Sequence, residues 1–326
     1  MKILFNTYTM AFQHPGGGEV VILKLKDYLE RRGHEVKLFD KWSDKVTDYD
    51  IVHEFSLLEW EVWKDYKDLG LPLVLTPTAW PRNDLKSLLK NRLKNIYEKH
   101  NLTKFLKYPD VITPTTSLEK DRLRKLYRIP QSHFNIVPNG VDLPVANKGE
   151  NTFTAKYGLS DYLLYVGSIA ENKNLLGAIE VANRSGNKLI VIGDVKVGHE
   201  DYFNKCKNLQ SENIHFIGRL QEGEELLTDA YRAAKCLLVL SDFETCSLVA
   251  MEAGAVGTPV LLTKYGGTKE VFKNYVNYVD PLDLDSVLNE LNNLKSGDDL
   301  RQFILANYTW NVIVEKLENI YKKLIK

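Results

Sequence analysis

The run Leu237-Leu-Val-Leu-Ser241-Asp-Phe-Glu244-Thr-Cys-Ser-Leu-Val-Ala-Met-Glu252-Ala-Gly-Ala-Val-Gly257-Thr-Pro-Val260 decides the fold. Its apolar start reads as a short buried strand ending at Ser241, and a polar loop carrying Glu244 follows. A helix is predicted over Ser247–Ala255, with Glu252 in its early turns, and a second strand over Val260–Thr263. Strand, helix, strand in this order implies a parallel sheet with right-handed crossovers.

The same alternation extends in both directions. Toward the N-terminus, strands are predicted at Leu163–Val166, Leu189–Gly193 and Ile214–Ile217, with helices from Asn174, near Asp201–Leu209 and at Glu224–Ala234. A helix from Thr268 follows Val260–Thr263. The last helix starts at its N-cap Thr309 and presents Trp310, Ile313, Leu317, Ile320 and Leu324 on one face. The first half repeats the pattern with strands at Ile3–Phe5, Val36–Phe39, Asp50–His53, Leu73–Leu75, Val111–Thr113 and Ile136–Val137. A helical face, Val20, Val21, Leu23, Leu25 and Leu29, ends at Arg31-Arg32-Gly33, where basic residues and Gly mark a C-terminus. Thr116-Ser-Leu-Glu119 reads as a capping box. The polar stretch Leu143–Ser160 shows no period and reads as the linker. The expected domains are therefore 1–145, 146–308 and a terminal helix, 309–326.

Composition narrows the function. The 326 residues are 44% hydrophobic and 26% charged, enough to bury a sizeable core. Lys plus Arg and Asp plus Glu are both 43, and a formal net charge of zero argues against a generic nucleic-acid binder. Cys206, Cys236 and Cys246 are scattered, with no zinc-type cluster, which fits a reducing, cytoplasmic setting. The apolar N-terminal residues are too few for a signal-peptide core, and no apolar run is long enough to span a bilayer.

Four features fall where open α/β sheets bind ligands, beyond the carboxyl ends of parallel strands. The first is the Glu244/Glu252 pair, with the amides of Thr245, Cys246, Ser247 and Leu248 at a helix N-terminus suited to an anion. The second is Gly167-Ser168 with Lys173, a point charge able to meet a diphosphate. The third is Gly16-Gly17-Gly18-Glu19, and the fourth is Tyr265-Gly266-Gly267-Thr268-Lys-Glu270. Taken singly, each is weak and also reads as an ordinary turn or a solvated charge; their shared placement favours a common ligand.

These residues resemble the retaining GT-B glycosyltransferases of family 4, the glycosyl transferases group 1 type. Glu244-x7-Glu252, followed by Ala253, Gly257 and Pro259-Val260, is similar to that family's E-x7-E donor motif. Supporting matches are Gly33-His34-Glu35-Val36, Asp50-Ile-Val-His53, Pro138-Asn139-Gly140-Val141-Asp142, Phe216-Ile-Gly218 and Gly266-Gly267-x-x-Glu270. The resemblance implies an α/β GT-B fold, two Rossmann-like parallel-sheet domains facing a cleft, with the last helix crossing back to the first domain. It implies a metal-independent, retaining hexosyltransferase with a nucleotide-sugar co-substrate, no other cofactor, and a glycan or lipid-linked acceptor. By the same resemblance Glu252 would hold the ribose. Glu244 would hold a sugar hydroxyl and steady positive charge at the anomeric carbon. Lys173 would meet the diphosphate with the 245–248 amides, and Gly17 and Gly18 would approach the phosphates from the other domain.

The departures are specific. Ser168 stands where many relatives carry Arg, leaving Lys173 to be helped by Arg219, beside Gly218, or another Arg. Thr245 and Ser247 stand where Gly is usual, and Thr78 stands where a His often faces the donor sugar. His53, at a strand end, reads as structural. Between Arg82 and Lys107, basic residues accompany Leu85, Leu88, Leu89, Leu93, Ile96 and Tyr97 at helical spacing. This stretch reads either as a helix resting peripherally on the cytoplasmic face of an anionic membrane or as a solvated face packed on the core. Two alternatives compete with the enzyme reading. One is a non-catalytic nucleotide-sugar-binding protein; the other is a dinucleotide oxidoreductase, against which the missing GxGxxG counts.

Overall fold

The computed structural model describes residues 1–13, 16–77, 102–144, 149–220 and 225–325. The chain forms two compact units, Met1–Asn139 together with Trp310–Lys326, and Gly140–Thr309.

In the first unit, β1 (Lys2–Asn6), β2 (Glu35–Leu38), β3 (Ile51–Glu54), β4 (Leu73–Leu75) and β5 (Val111–Ile112) form a five-stranded sheet of order β2-β1-β3-β4-β5. Every pairing is parallel. Strands this short and this apolar are stable only when both faces are covered, and Ile3, Leu4, Ile51, Val52, Leu73, Val74 and Leu75 are all fully buried. Helix Gly17–Arg31 returns the chain from β1 to β2. The terminal helix Trp310–Leu324 lies against it, with Trp310 beside Tyr28 at a ring separation of 6.4 Å.

The buried stripe of this last helix differs from the expected one. It comprises Trp310, Ile313, Val314, Leu317, Glu318 and Tyr321, while Ile320 and Leu324 are only half-buried. The cause is pairing of its polar members. Arg32 contacts the Glu318 carboxylate at 2.6 Å and His34 at 3.1 Å, and Lys322 approaches it at 2.9 Å. Lys322 and Arg32 hold that carboxyl down to about 2. The Tyr321 hydroxyl lies 2.5 Å from His53 Nδ1, and His53 Nε2 lies 2.7 Å from Thr76 Oγ1. His53 is thus a fully buried core residue, and burial pushes it down to about 3, so it is neutral.

In the second unit, β6 (Tyr162–Val166), β7 (Leu189–Ile192), β8 (Ile214–Gly218), β9 (Ala234–Val239), β10 (Val260–Thr263) and β11 (Asn277–Val279) form a six-stranded sheet of order β11-β10-β9-β6-β7-β8. Its pairings are also all parallel. The chain builds outward from β6 through β7 and β8, then crosses to β9 and builds the other way. The order therefore reverses between β6 and β9, the kind of point where open sheets leave a crevice. In the first unit the reversal lies between β1 and β3.

Several expectations are corrected. Ile136–Val137 forms no strand; only isolated hydrogen bonds, Asn135 N–H to Ile112 O and Val137 N–H to Pro114 O, follow β5. The linker stretch contains helix Thr152–Tyr157, capped by the Asn151 side chain and stopped by Gly158 at φ 68°, with Phe153 fully buried. Glu119 does not close the expected capping box. Thr116 accepts from Glu119 N–H, but the Glu119 carboxylate takes the Thr115 N–H instead. The sequence reading had no counterpart for β11 or for helices Trp63–Asp68, Leu284–Leu291 and Gly297–Asn307. Among the described residues no helix is long and apolar enough to cross a membrane.

Candidate active site

The two loops at the reversal point of the second sheet carry the predicted charges. After β6, Gly167 adopts φ 147°, and a short turn over Glu171–Lys173 leads to Asn174, which caps helix Leu175–Ser185 through its side chain. After β9, residues Ser241–Ser247 lead into helix Leu248–Val256. The loops are joined directly, by Asp242 N–H donating to Asn172 O at 3.0 Å. That junction brings Lys173 Nζ to 2.6 Å from Glu244 Oε1. Ser241 Oγ donates to the same Oε1 at 2.7 Å.

Glu244 is also fixed through its backbone. Its N–H donates to Tyr265 O and its carbonyl accepts from Gly267 N–H, a one-residue parallel bridge to the loop after β10. Gly266 is required there: it sits at φ 114°, and a Cβ on it would lie 1.8 Å from the Glu244 carbonyl oxygen. The Gly266-Gly267 signal in the sequence thus marks a clamp on Glu244. A similar close approach occurs at Gly193, whose Cβ would lie 1.9 Å from Gly167 O.

Helix Leu248–Val256 begins without a side-chain cap, so its first N–H groups are available to an anion. Ser247, at its N-cap, is held at φ 51°, a left-handed conformation that favours Gly. Its hydroxyl is buried and has no hydrogen-bond partner among the described residues. Cys246 is fully buried, Thr245 half-buried. Glu252, one turn into the helix, accepts from the Tyr231 hydroxyl at 2.6 Å on Oε2, and Thr258 Oγ1 holds the Tyr231 carbonyl at 2.7 Å. Sequence reading missed Tyr231 and Ser241. Ser241 stood in the quoted run as a strand end, whereas Tyr231 has no local signal, being 21 residues from its partner.

The remaining predicted residues are more dispersed. Ser168 is exposed, its carbonyl accepting from Tyr165. Gly218 ends the edge strand β8, two strands from β6, and its carbonyl accepts from Gly193 N–H; Arg219 is exposed. Gly17 and Gly18 open the first helix of the other unit. There Glu19 bends back to the Gly16 N–H at 2.7 Å and accepts from the Tyr8 hydroxyl at 3.1 Å. At the reversal point of that sheet, Glu54 is buried and accepts from Asn6 Nδ2 at 2.6 Å. Burial pushes its carboxyl up to about 7. Thr78 and 82–101 lie outside the described residues; of the basic stretch only Lys104 and Lys107 are seen, both exposed beside buried Leu102 and Leu106. Among the described residues no group of three or more His, Cys, Asp or Glu is placed to hold a metal ion.

The second unit coincides with a match to the family model for glycosyl transferases group 1, over residues 151–309, and the model for glycosyltransferase family 4 matches residues 38–144. The chain belongs to the group 1, family 4 glycosyltransferases. An uncharacterized glycosyltransferase of Methanocaldococcus jannaschii is 24% identical over 302 residues, 85% of this chain and 76% of the relative. Among solved structures, sucrose-phosphate synthase from Thermosynechococcus elongatus superposes with a TM-score of 0.81 at 18% identity, covering 99% of each chain. Anabaena HepE in complex with UDP superposes with a TM-score of 0.80 at 15% identity, over 99% of this chain and 100% of that one. The glycosyltransferase has the GT-B fold of these structures, two Rossmann-like α/β units each built on a parallel sheet.

Proposed function

We propose that this glycosyltransferase moves a hexose from a nucleotide-diphosphate-sugar to a glycan or lipid-linked acceptor, with retention of anomeric configuration and without a metal ion. The observation that carries the reading is the meeting of Lys173 and Glu244 at the reversal point of the sheet, with Glu252 one turn into the helix that follows. The UDP complex of HepE, on the same fold, supports a nucleotide donor.

In this reading Glu252 receives the ribose hydroxyls, and Lys173 and the amides of Thr245, Cys246, Ser247 and Leu248 receive the diphosphate. Gly167, Ser168, Gly218 and Arg219 line the donor side. Glu244 accepts from a hydroxyl of the sugar. Cleavage of the anomeric C–O bond builds positive charge on the ring and negative charge on the departing diphosphate. A carboxylate beside the first and a cation with oriented N–H groups at the second stabilise that separation, because they are in place before reaction. The enzyme works on the cytoplasmic side, peripheral to the membrane when its acceptor is lipid-linked.

The test is a transfer reaction in EDTA, followed by NMR of the product's anomeric proton. Transfer at an undiminished rate with the donor's own anomeric configuration is expected. Loss of transfer restored by magnesium or manganese, or an inverted product, would overturn the respective part.

A further inference from the structure

We propose that Ser241 is a positioning residue that sets which oxygen of Glu244 faces the donor sugar; this rests on the donor-site reading above. Both side-chain donors to Glu244 converge on one oxygen. Ser241 Oγ reaches Oε1 at 2.7 Å and Lys173 Nζ reaches it at 2.6 Å. Among the described residues Oε2 is left as the open acceptor of a carboxylate whose side chain is only 10% exposed.

The two donors are not equivalent. Lys173 is about one-third exposed (32%) and sits on a flexible stem, and its ammonium is the group a diphosphate would draw toward itself. When a donor binds, Lys173 has two anions to serve. Ser241 has one. It is 2% exposed, two residues beyond β9, and its single proton is committed to Glu244. Ser241 therefore keeps Oε1 occupied while Lys173 turns to phosphate, and the carboxylate cannot rotate to exchange its oxygens. The Gly266 clamp fixes the same residue's backbone. Oε2 then demands a hydroxyl at one place on the sugar ring, so the donor class is a pyranose with a free hydroxyl there rather than a deoxy sugar.

The test uses the full chain and four proteins: wild type, Ser241→Ala, Glu244→Gln and the double variant. Donor turnover and UDP or GDP affinity are measured for each, with thermal unfolding as a check on folding. Ser241→Ala is expected to lower kcat about tenfold, the scale of a lost hydrogen bond to a charged group. Nucleotide affinity should stay within about twofold, because the nucleotide does not meet Glu244. In the Glu244→Gln background the Ser241 change should add nothing, since its effect passes through that carboxylate. Ser241→Thr, which keeps the hydroxyl, should recover turnover. Wild-type turnover in Ser241→Ala, an additive double variant, or an equal loss of nucleotide affinity would overturn the inference while leaving the donor site standing. Wild-type turnover in Glu244→Gln would instead overturn the donor-site reading itself.

Discussion

Replacing Glu252 by Gln preserves volume and removes one charge, and the structure says how the new side chain must sit. Tyr231 donates to Oε2 at 2.6 Å, so the amide oxygen takes that position and the amide nitrogen stands where Oε1 was. A ribose hydroxyl that donated to a carboxylate then meets an NH2 group. Hydrogen bonds to charged groups contribute about 1.5–3 kcal/mol and neutral ones about 0.5–1.5, so the exchange costs about 1–2 kcal/mol. That corresponds to a loss of roughly 5- to 30-fold in nucleotide affinity. Calorimetric titration of wild type and Glu252→Gln with UDP and GDP measures it, and equal melting temperatures would show that the fold is intact. The 2′-deoxynucleotide reads the same contact from the ligand side: it should bind wild type more weakly than the ribonucleotide, and Glu252→Gln should discriminate less. Affinities within twofold across both proteins and both sugars would refute the assignment and return Glu252 to a helix-surface role.

Other expectations follow from the same geometry. Ser247→Gly relieves a left-handed residue at about 1–2 kcal/mol against a flexibility cost of about 0.5–1; the net gain of up to about 1.5 kcal/mol predicts a rise in Tm of up to about 6 °C for a unit of this size, and a fall would argue against strain. Gly266→Ala puts a methyl group 1.8 Å from the Glu244 carbonyl, so turnover should drop more than tenfold, about the loss expected from one displaced charged contact; wild-type turnover would show that the clamp is dispensable. For Glu54, with its carboxyl pushed up to about 7 from 4.5, the folded chain keeps a proton that the unfolded chain has released. Its ionisation therefore erodes stability as pH rises from about 4.5 through 7. The Tm of Glu54→Gln should gain on wild type between pH 5 and pH 8, and a constant difference across that range would count against the burial argument.

Much of this was legible in the sequence because parallel strands buried on both faces are written as short apolar runs. Leu73–Leu75 and Val260–Thr263 match their predicted bounds residue for residue. The placement of the candidate site was legible for a related reason: Lys173, Glu244 and Gly266 lie in loops that follow such runs. What escaped had its pattern masked by polar pairing or shortness. Asn277 opens β11 as a buried polar residue because its side chain bonds Glu290 and the Asn293 carbonyl. Glu318 and Tyr321 rotated the terminal helix away from its purely apolar stripe for the same reason. Helix Thr152–Tyr157, at six residues, is too short to display a period. Tyr231 and Ser241 were invisible as partners of the two carboxylates because the oxygen each one holds comes within reach only once β9 and its two flanking helices are assembled.

The central claim is that a nucleotide-diphosphate-sugar is activated between Lys173, Glu244 and Glu252. Mass spectrometry of a panel of UDP- and GDP-sugars incubated with the full chain, and with Lys173→Ala and Glu244→Gln in parallel, tests it most directly. The account predicts enzyme-dependent loss of at least one donor, with release of its nucleoside diphosphate, and a sharp reduction of that loss in both variants. Donor consumption that proceeds at the wild-type rate in both variants, or no consumption of any donor by the wild type, would contradict it.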